Sequence, residues 1–396
     1  MQHPDPSPAL SEARTAEAIL ARLIRGEPLP PLDPQDAGLV ERLRTAAAFH
    51  GVGPLVYDRL RATPTEWARP SDPLMRGLRA DAHGEAAGEW IRMRDLVAVL
   101  DRLHDAGIPA LLLKGTPLAY ALYDAPHLRP RGDTDILVPA ASRASAQSVL
   151  QAAGYRAQAS AGGRLASYQT TFHKPLALGA HQVIDLHWQI SNAQVYAQAI
   201  DFEPLWVEAR PVPPLGPNAW MLGLEHALLL ACMHRANHLE SPYYFDGVPY
   251  REGNRLIWLY DIQLLARRFT GAHWDRFLAI AAATRMRAVC LDGLEASEMR
   301  LATPLPDSVR SALAAPGPPE RSAHYLRANR WWTAVTDVRA LPRWRDRMTL
   351  VREWCLPPAD YMQRKYRTRA RWRLPWLYLR RAIGGVVRAA RAGHGG

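Results

Sequence analysis

The chain has 396 residues, 48% hydrophobic and 22% charged, which is enough apolar material for two or three globular units and excludes a disordered or staple-dependent chain. Its three cysteines, Cys232, Cys290 and Cys355, lie too far apart for a Cys-x-x-Cys zinc or redox site, and no apolar run approaches membrane-spanning length. The net charge of +11 is concentrated in one segment: Arg339–Arg391 holds fifteen basic and three acidic residues, a net of +12, which leaves −1 for the rest and excludes a uniformly basic nucleic-acid surface. In chain order, Ala9–Arg25 has helical apolar spacing, with Ser11 placed as an N-cap and Glu12 and Glu17 in the early turns. Pro28–Pro34 breaks the pattern. Leu39–Leu60 reads as helix around a Gly-x-Gly-Pro interruption, and Asp72–Ala106 as one long helix stopped by Gly107.

The pattern changes at Ile108. Ala110–Leu113 predicts a buried strand ending in a Lys114-Gly115 turn, and Pro117–Tyr123 a short helix. Asp133–Val138 predicts a strand with an open first end, and Ala140–Ala153 a helix closed by Gly154. Lys174–Leu178 and Gln182–Trp188 predict antiparallel strands joined at Gly179-Ala180. Beyond the Pro-rich stretch Pro211–Pro217, helices are expected over Trp220–His238, Arg255–Arg268 and Trp274–Met299, with a loop over Pro304–Pro319. The expected fold is α+β: an α/β core with a short mixed sheet, flanked by N- and C-terminal helical regions. The divisions are 1–106, 107–211, 212–338 and a basic tail, 339–396.

The chemistry concentrates at Asp133 and Asp135. Carboxylates at i and i+2 on a strand share a face, and two like charges held close are costly unless a cation lies between them. Oxygen ligands favour Mg²⁺, which takes one or two carboxylates plus substrate phosphates. Asp185, in Val183-Ile-Asp-Leu-His-Trp188, supplies a third carboxylate for a two-metal site. Asp-x-Asp alone is a common solvated pattern. The strand-end setting, the upstream Lys-Gly turn and the second Asp-bearing strand raise it to a functional reading.

The stretch LLLKGTPLAYALYDAPHLRPRGDTDILV resembles the nucleotidyltransferase superfamily typified by DNA polymerase beta, and within it the bacterial uncharacterised nucleotidyltransferase family. His50-Gly-Val-Gly-Pro-Leu-Val-Tyr57, the VIDLHW strand, the helix with His234, the Arg255–Asp261 helix and Leu356–Tyr361 with Arg364 and Tyr366 are similar to other parts of that family. The resemblance implies Asp133 and Asp135 as Mg²⁺ ligands, with two ions and Mn²⁺ as a substitute, and Asp185 as third ligand and general base. It implies Gly115 and Thr116 at the nucleotide phosphates, although the turn is Lys-Gly-Thr where the superfamily has Gly-Ser. Arg129 falls at the family's Arg before Gly-Asp-x-Asp. It reads either as a bidentate phosphate ligand or as a loop Arg holding its own carboxylates. Lys114 reads as a phosphate ligand or as a partner of Asp133 or Asp135. The implied activity is transfer of a nucleoside monophosphate from an NTP, ATP first, to an unidentified small-molecule, peptide or protein acceptor, with release of pyrophosphate. The alternatives are a non-catalytic nucleotide- or partner-binding member of the same fold, or a nucleic-acid or anionic-membrane binding protein acting through its basic tail.

Four further residues are pocket candidates. His187 shares the face of Asp185 and either orients it or meets substrate. His234 and His238, at i and i+4, lack a third zinc ligand and read as pocket lining. Asp261 reads as the partner of a helix-end cation or as a cleft carboxylate. Three readings of the basic tail stay open: a helical cap whose arginines pair with acidic surface elsewhere, a contact with an anionic membrane surface, and a nucleic-acid contact. The opening MQHPDPSPAL lacks the regions of a secretion signal. With the dispersed cysteines this points to the cytoplasm, with peripheral membrane association as the tail's variant of it.

Overall fold

The structure is a computed structural model that describes residues 8–27, 36–62, 72–158, 163–240, 243–245, 248–250, 254–327 and 330–381. The Pro28–Pro34 break and the side chains of Ser11 and Glu12 lie outside the described set. Four helices come first: α1 (Pro8–Arg25), α2 (Ala37–His50), α3 (Gly53–Ala62) and α4 (Pro73–Asp105). Gly51, at φ 68°, closes α2, and its N–H bonds to the Ala47 and Ala48 carbonyls. The expected single stretch is therefore two helices folded about that turn.

A mixed α/β layer follows: β1 (Leu111–Leu113), α5 (Gly115–Ala121), β2 (Thr134–Leu137), α6 (Arg143–Ala152), β3 (Arg156–Ala157), β4 (Gln169–Pro175) and β5 (His181–His187). Two short helices, α7 (Gln194–Ala197) and α8 (Phe202–Val207), lead to the two-residue strands β6 (Arg210–Pro211) and β7 (Trp220–Met221). These make one seven-stranded sheet in the order β3-β4-β5-β2-β1-β7-β6. β1 pairs antiparallel with β2 and parallel with β7, while β2 pairs parallel with β5. Central β1 is buried throughout, which is why it reads as an unbroken Leu run without alternation. The sheet thus takes one strand, β7, from beyond residue 211. Pro211 sits at its edge, where a missing N–H is tolerated.

Helices close the fold: α9 (Leu224–Glu240), the hairpin β8 (Tyr243–Phe245) and β9 (Val248–Tyr250), then α10 (Leu256–Arg267), α11 (Gly271–Ala283), α12 (Arg287–Leu301) and α13 (Asp307–Ala314). The tail region adds α14 (Arg330–Ala340), α15 (Trp344–Cys355) and α16 (Ala359–Lys365). Among the described residues no helix is long and apolar enough to cross a membrane.

Several expected bounds shift. Trp220 belongs to a strand, the Trp274–Met299 helix breaks at Arg285 (φ 55°), and the expected Pro304–Pro319 loop contains α13. The first strand of the expected antiparallel pair runs over Gln169–Pro175, and 177–179 forms the turn.

Two hydrophobic cores position the cleft. The larger joins the sheet to the second half of α4 (Leu96, Leu100, Leu103) and to α9, α11 and α12. The smaller holds α1–α3, the first half of α4 (Leu74, Met75, Leu78) and the start of α10 (Leu256, Ile257, Tyr260). α4 and α10 each serve both cores, so they fix the two bodies to one another. α10 is accordingly apolar nearly all round. At the junction the Leu256 N–H donates to His50 Nδ1 at 3.3 Å. Burial, then the charges of Arg255 and Arg300, lower the His50 pKa to about 3, so the ring is neutral in the fold. The unfolded chain takes up that proton near pH 6.5 and the fold does not, so stability falls as pH drops below about 6.5. Between pH 7 and 5 this is expected to cost about 2 kcal/mol. Urea melts at the two pH values should show a difference that shrinks by that amount in His50→Gln.

Candidate functional site

Where the two cores meet the sheet, a cleft of about 950 Å³ opens over the ends of β2 and β5. One wall comes from α2, α3 and the middle of α4 (Ala80, Gly84, Glu85); the opposite wall comes from α9 and α10 (Met233, His234, His238, Trp258). Lys114, Gly115, Asp133, Asp135, Asp185 and His187 line its floor.

The carboxylates meet because of strand register. In the parallel β2/β5 pair Asp135 lies opposite Asp185 and Leu137 opposite His187. Alternation then puts Asp135, Asp185 and His187 on one face. Their ligand-capable atoms all lie within 4.8 Å of one another. Asp133, just before β2, faces the same cleft but lies outside that closest group. His187 does not orient Asp185 as one expectation had it: its Nε2 is 2.8 Å from Asp135 Oδ1, across the strand pair. Asp185 is instead held by Gln169 Nε2 (2.9 Å), which sits on β4 opposite His187 and reaches diagonally to the carboxylate; no spacing in the sequence singles this residue out. Asp185 Oδ1 and His187 Nδ1 are buried and have no hydrogen-bond partner among the described residues.

Lys114 donates to Asp135 Oδ1 at 2.5 Å. Burial alone would raise the Asp135 pKa, but the Lys114 ammonium and the His187 hydrogen bond outweigh it and hold the carboxyl well below its usual range. Burial would lower the Lys114 pKa, and the facing charges of Asp135, Asp133 and Asp185 reverse this and raise it. Asp133 shifts upward through enclosure by the cleft walls and the like charge of Asp135, against the pull of Lys114 and Arg131. Its side chain still meets cleft solvent, so the like charge is the durable part of that shift.

An anchoring network behind the floor was not legible in the sequence. Glu89, buried in the middle of α4, accepts from Arg131 Nε and Nη2 (each 3.0 Å), Arg92 Nη2 (3.1 Å) and the Tyr120 hydroxyl (2.6 Å). Arg131 also donates to Thr134, and so ties the Asp133 segment to the long helix.

Arg129 is engaged elsewhere. Its guanidinium clasps Asp261 (Nη2 to Oδ2, 2.7 Å) and donates Nη1 to the Pro130 carbonyl at 2.9 Å. Asp261 also accepts from the Tyr123 hydroxyl at 2.7 Å, so it sits behind the cleft as the partner of a cation. Neither Arg129 reading foresaw this partner. The guanidinium lies flat on Gly115, where a Cβ would come within 2.6 Å of Arg129 Cζ. Gly115→Ala is therefore expected to destabilise the fold by about 1–3 kcal/mol, because the pinned guanidinium cannot move aside; thermal melting checks this. Lys114 itself adopts φ 56°, a strained backbone for a side-chain-bearing residue, at the turn into α5. Thr116 Oγ1 is buried there without a hydrogen-bond partner among the described residues.

On the far wall, His234, His238 and Trp258 pack as a cluster, with His234 edge-on to Trp258 at 4.6 Å between centroids. Burial, then His238, lower the His234 pKa well below its usual value. These two histidines lie apart from the Asp135–Asp185–His187 group.

Asp135 and Asp185 offer hard oxygen donors at one point of the cleft, beside the His187 imidazole, with Asp133 elsewhere on the same floor. The unpartnered Asp185 Oδ1 is the kind of orphaned buried atom that a cation satisfies. A family model described as "Uncharacterised nucleotidyltransferase" matches residues 37–302 of the chain. No curated protein and no solved structure matches it.

Proposed function

Because the chain belongs to the uncharacterised nucleotidyltransferase family, we propose that this cleft moves a nucleoside monophosphate from an NTP to an acceptor hydroxyl. The observation that supports this most is the convergence of Asp135 and Asp185 from register-matched parallel strands, with one buried oxygen of Asp185 unpartnered. Asp135, Asp185 and Asp133 would hold divalent cations, Mg²⁺ first. Bound there, such ions supply Lewis-acid stabilisation of the triphosphate and lower the pKa of a bound hydroxyl.

The chain's own residues supply the rest. Lys114, beside Asp135 on the cleft floor, neutralises phosphate charge. Gly115 and Thr116 lie against the phosphates at the same turn, and Arg129 supports that turn through Gly115. The acceptor oxygen attacks the α-phosphorus, the bridging bond to the β-phosphate breaks, and pyrophosphate leaves. The acceptor proton passes to the Asp185 carboxylate. Most of the rate enhancement comes from positioning and charge neutralisation. His234, His238 and Trp258 offer an aromatic wall to a planar ring of either substrate, and ATP is the first NTP to test.

The test is a screen of α-phosphate-labelled ATP, GTP, CTP and UTP against cell extract. Metal-dependent appearance of label in a product other than NMP or NDP supports the reading. Nucleotide binding with no label transfer under any of the four, and no pyrophosphate, would leave a binding protein.

A further inference from the structure

The segment after residue 302 lies outside the family match, yet it is built with care. Helix α15 docks through its acidic residues. Glu353 accepts from the backbone N–H groups of Arg164, Leu165 and Ala166, and Asp346 pairs with Arg164. Leu350 is buried against Leu165, Tyr168 and Trp188. The acids of α15 are thus turned inward, and its outward face keeps only positive charge.

That face carries an apolar stripe. Trp344, Met348 and Val351 follow at i, i+4 and i+7, exposed by 69%, 60% and 38%, with Arg345 and Arg352 beside them. The same composition recurs past α16. Trp372, Trp376 and Leu379 are exposed, and each of the two indoles has an arginine over its ring (Arg373, 5.0 Å; Arg380, 5.5 Å). This second stretch is fastened to the end of α15: the Tyr378 hydroxyl donates to the Pro357 carbonyl at 2.7 Å, and Arg381 donates to the Trp354 carbonyl. Among the described residues none of the arginines from Arg339 to Arg381 forms an ion pair, so the described part of the tail gives no support to the reading in which its arginines pair with acidic surface elsewhere.

We propose that the outward face of α15, with the Arg/Trp segment fastened to its end, docks on an anionic phospholipid bilayer. Charge selects the partner: the segment Arg339–Arg391 carries a net +12, and a face from which the acids are turned away needs a negative surface. A second copy of the chain is disfavoured, because pairing would set two arginine faces against each other. Nucleic acid would use the arginines and indoles, but Met348, Val351 and Leu379 have nothing to stack on a base. An aliphatic–indole stripe along a helix, flanked by arginines whose stems reach past it, suits the headgroup–acyl boundary. The inference does not rest on the nucleotidyltransferase reading.

The test uses the full chain in sedimentation with vesicles of phosphatidylcholine alone and of equal parts phosphatidylcholine and phosphatidylglycerol, with poly-U RNA in parallel. Expected is binding to the anionic vesicles only, a blue shift of tryptophan emission on binding, and a loss of at least about tenfold in the combined variant Trp344→Ser, Met348→Ser, Val351→Ser. Should that variant fail to fold, Arg345→Glu with Arg352→Glu gives the same reading from the same face. Absence of binding to anionic vesicles, or binding unchanged in a folded variant, overturns the proposal. Tighter binding to poly-U that falls with the same substitutions overturns it in favour of nucleic acid.

Discussion

Asp135→Asn and Asp185→Asn are each expected to lower label transfer by at least about a thousandfold while the chain still folds. The carboxamide keeps an acceptor oxygen for Lys114 and His187 at position 135 and for Gln169 at position 185, so the local hydrogen bonds persist. What is lost is negative charge at the one point where two strands bring carboxylates together. Lys114 retains the charges of two neighbouring carboxylates in either variant, which limits the cost of its burial. Transfer assays paired with urea melts check both halves. Transfer within tenfold of wild type in both variants would remove the catalytic reading.

Asp261→Ala is expected to be the more damaging change to stability, by about 3–5 kcal/mol. It leaves the Arg129 guanidinium buried with no counter-charge and removes the acceptor of the Tyr123 hydroxyl. Burial first, then the Asp261 carboxylate, hold the Tyr123 pKa well above its usual value in the wild type, and the variant leaves that hydroxyl without this acceptor. Asp261→Asn, which retains an acceptor, is expected to lose less. Chemical denaturation orders the three proteins, and a loss below about 1 kcal/mol for Asp261→Ala would mean that the pair is not what fixes the cleft rim.

The floor of the cleft was legible because its signal is local. Asp133-Thr-Asp135 and Val183-Ile-Asp185-Leu-His187 each state a shared face by period-two spacing, and the Leu run before Lys114 marks the strand on the other side of β2. What holds that floor was not legible, because it is made by pairs remote in sequence. Arg129 meets Asp261 132 residues on, and Arg131 reaches back 42 residues to Glu89. Nothing in the spacing of α4 separates Glu89 from the other acids on that helix. Gln169 became visible only once β4 was placed against β5, and the expected strand began five residues too late to include it. Trp220-Met221 was absorbed into a helix because a two-residue strand abutting an apolar helix has no period of its own. The break at Arg285 was hidden for another reason: a non-glycine residue takes the left-handed conformation there, so no glycine or proline marks it.

Mn²⁺ binding followed by loss of the free-ion EPR signal, with and without NTP, tests most directly whether the Asp135/Asp185 face is a cation site. Wild type is expected to take up Mn²⁺ more tightly when NTP is present, and Asp185→Asn to lose at least about tenfold of that affinity. Equal uptake by wild type and Asp185→Asn, whatever the nucleotide, would contradict the assignment.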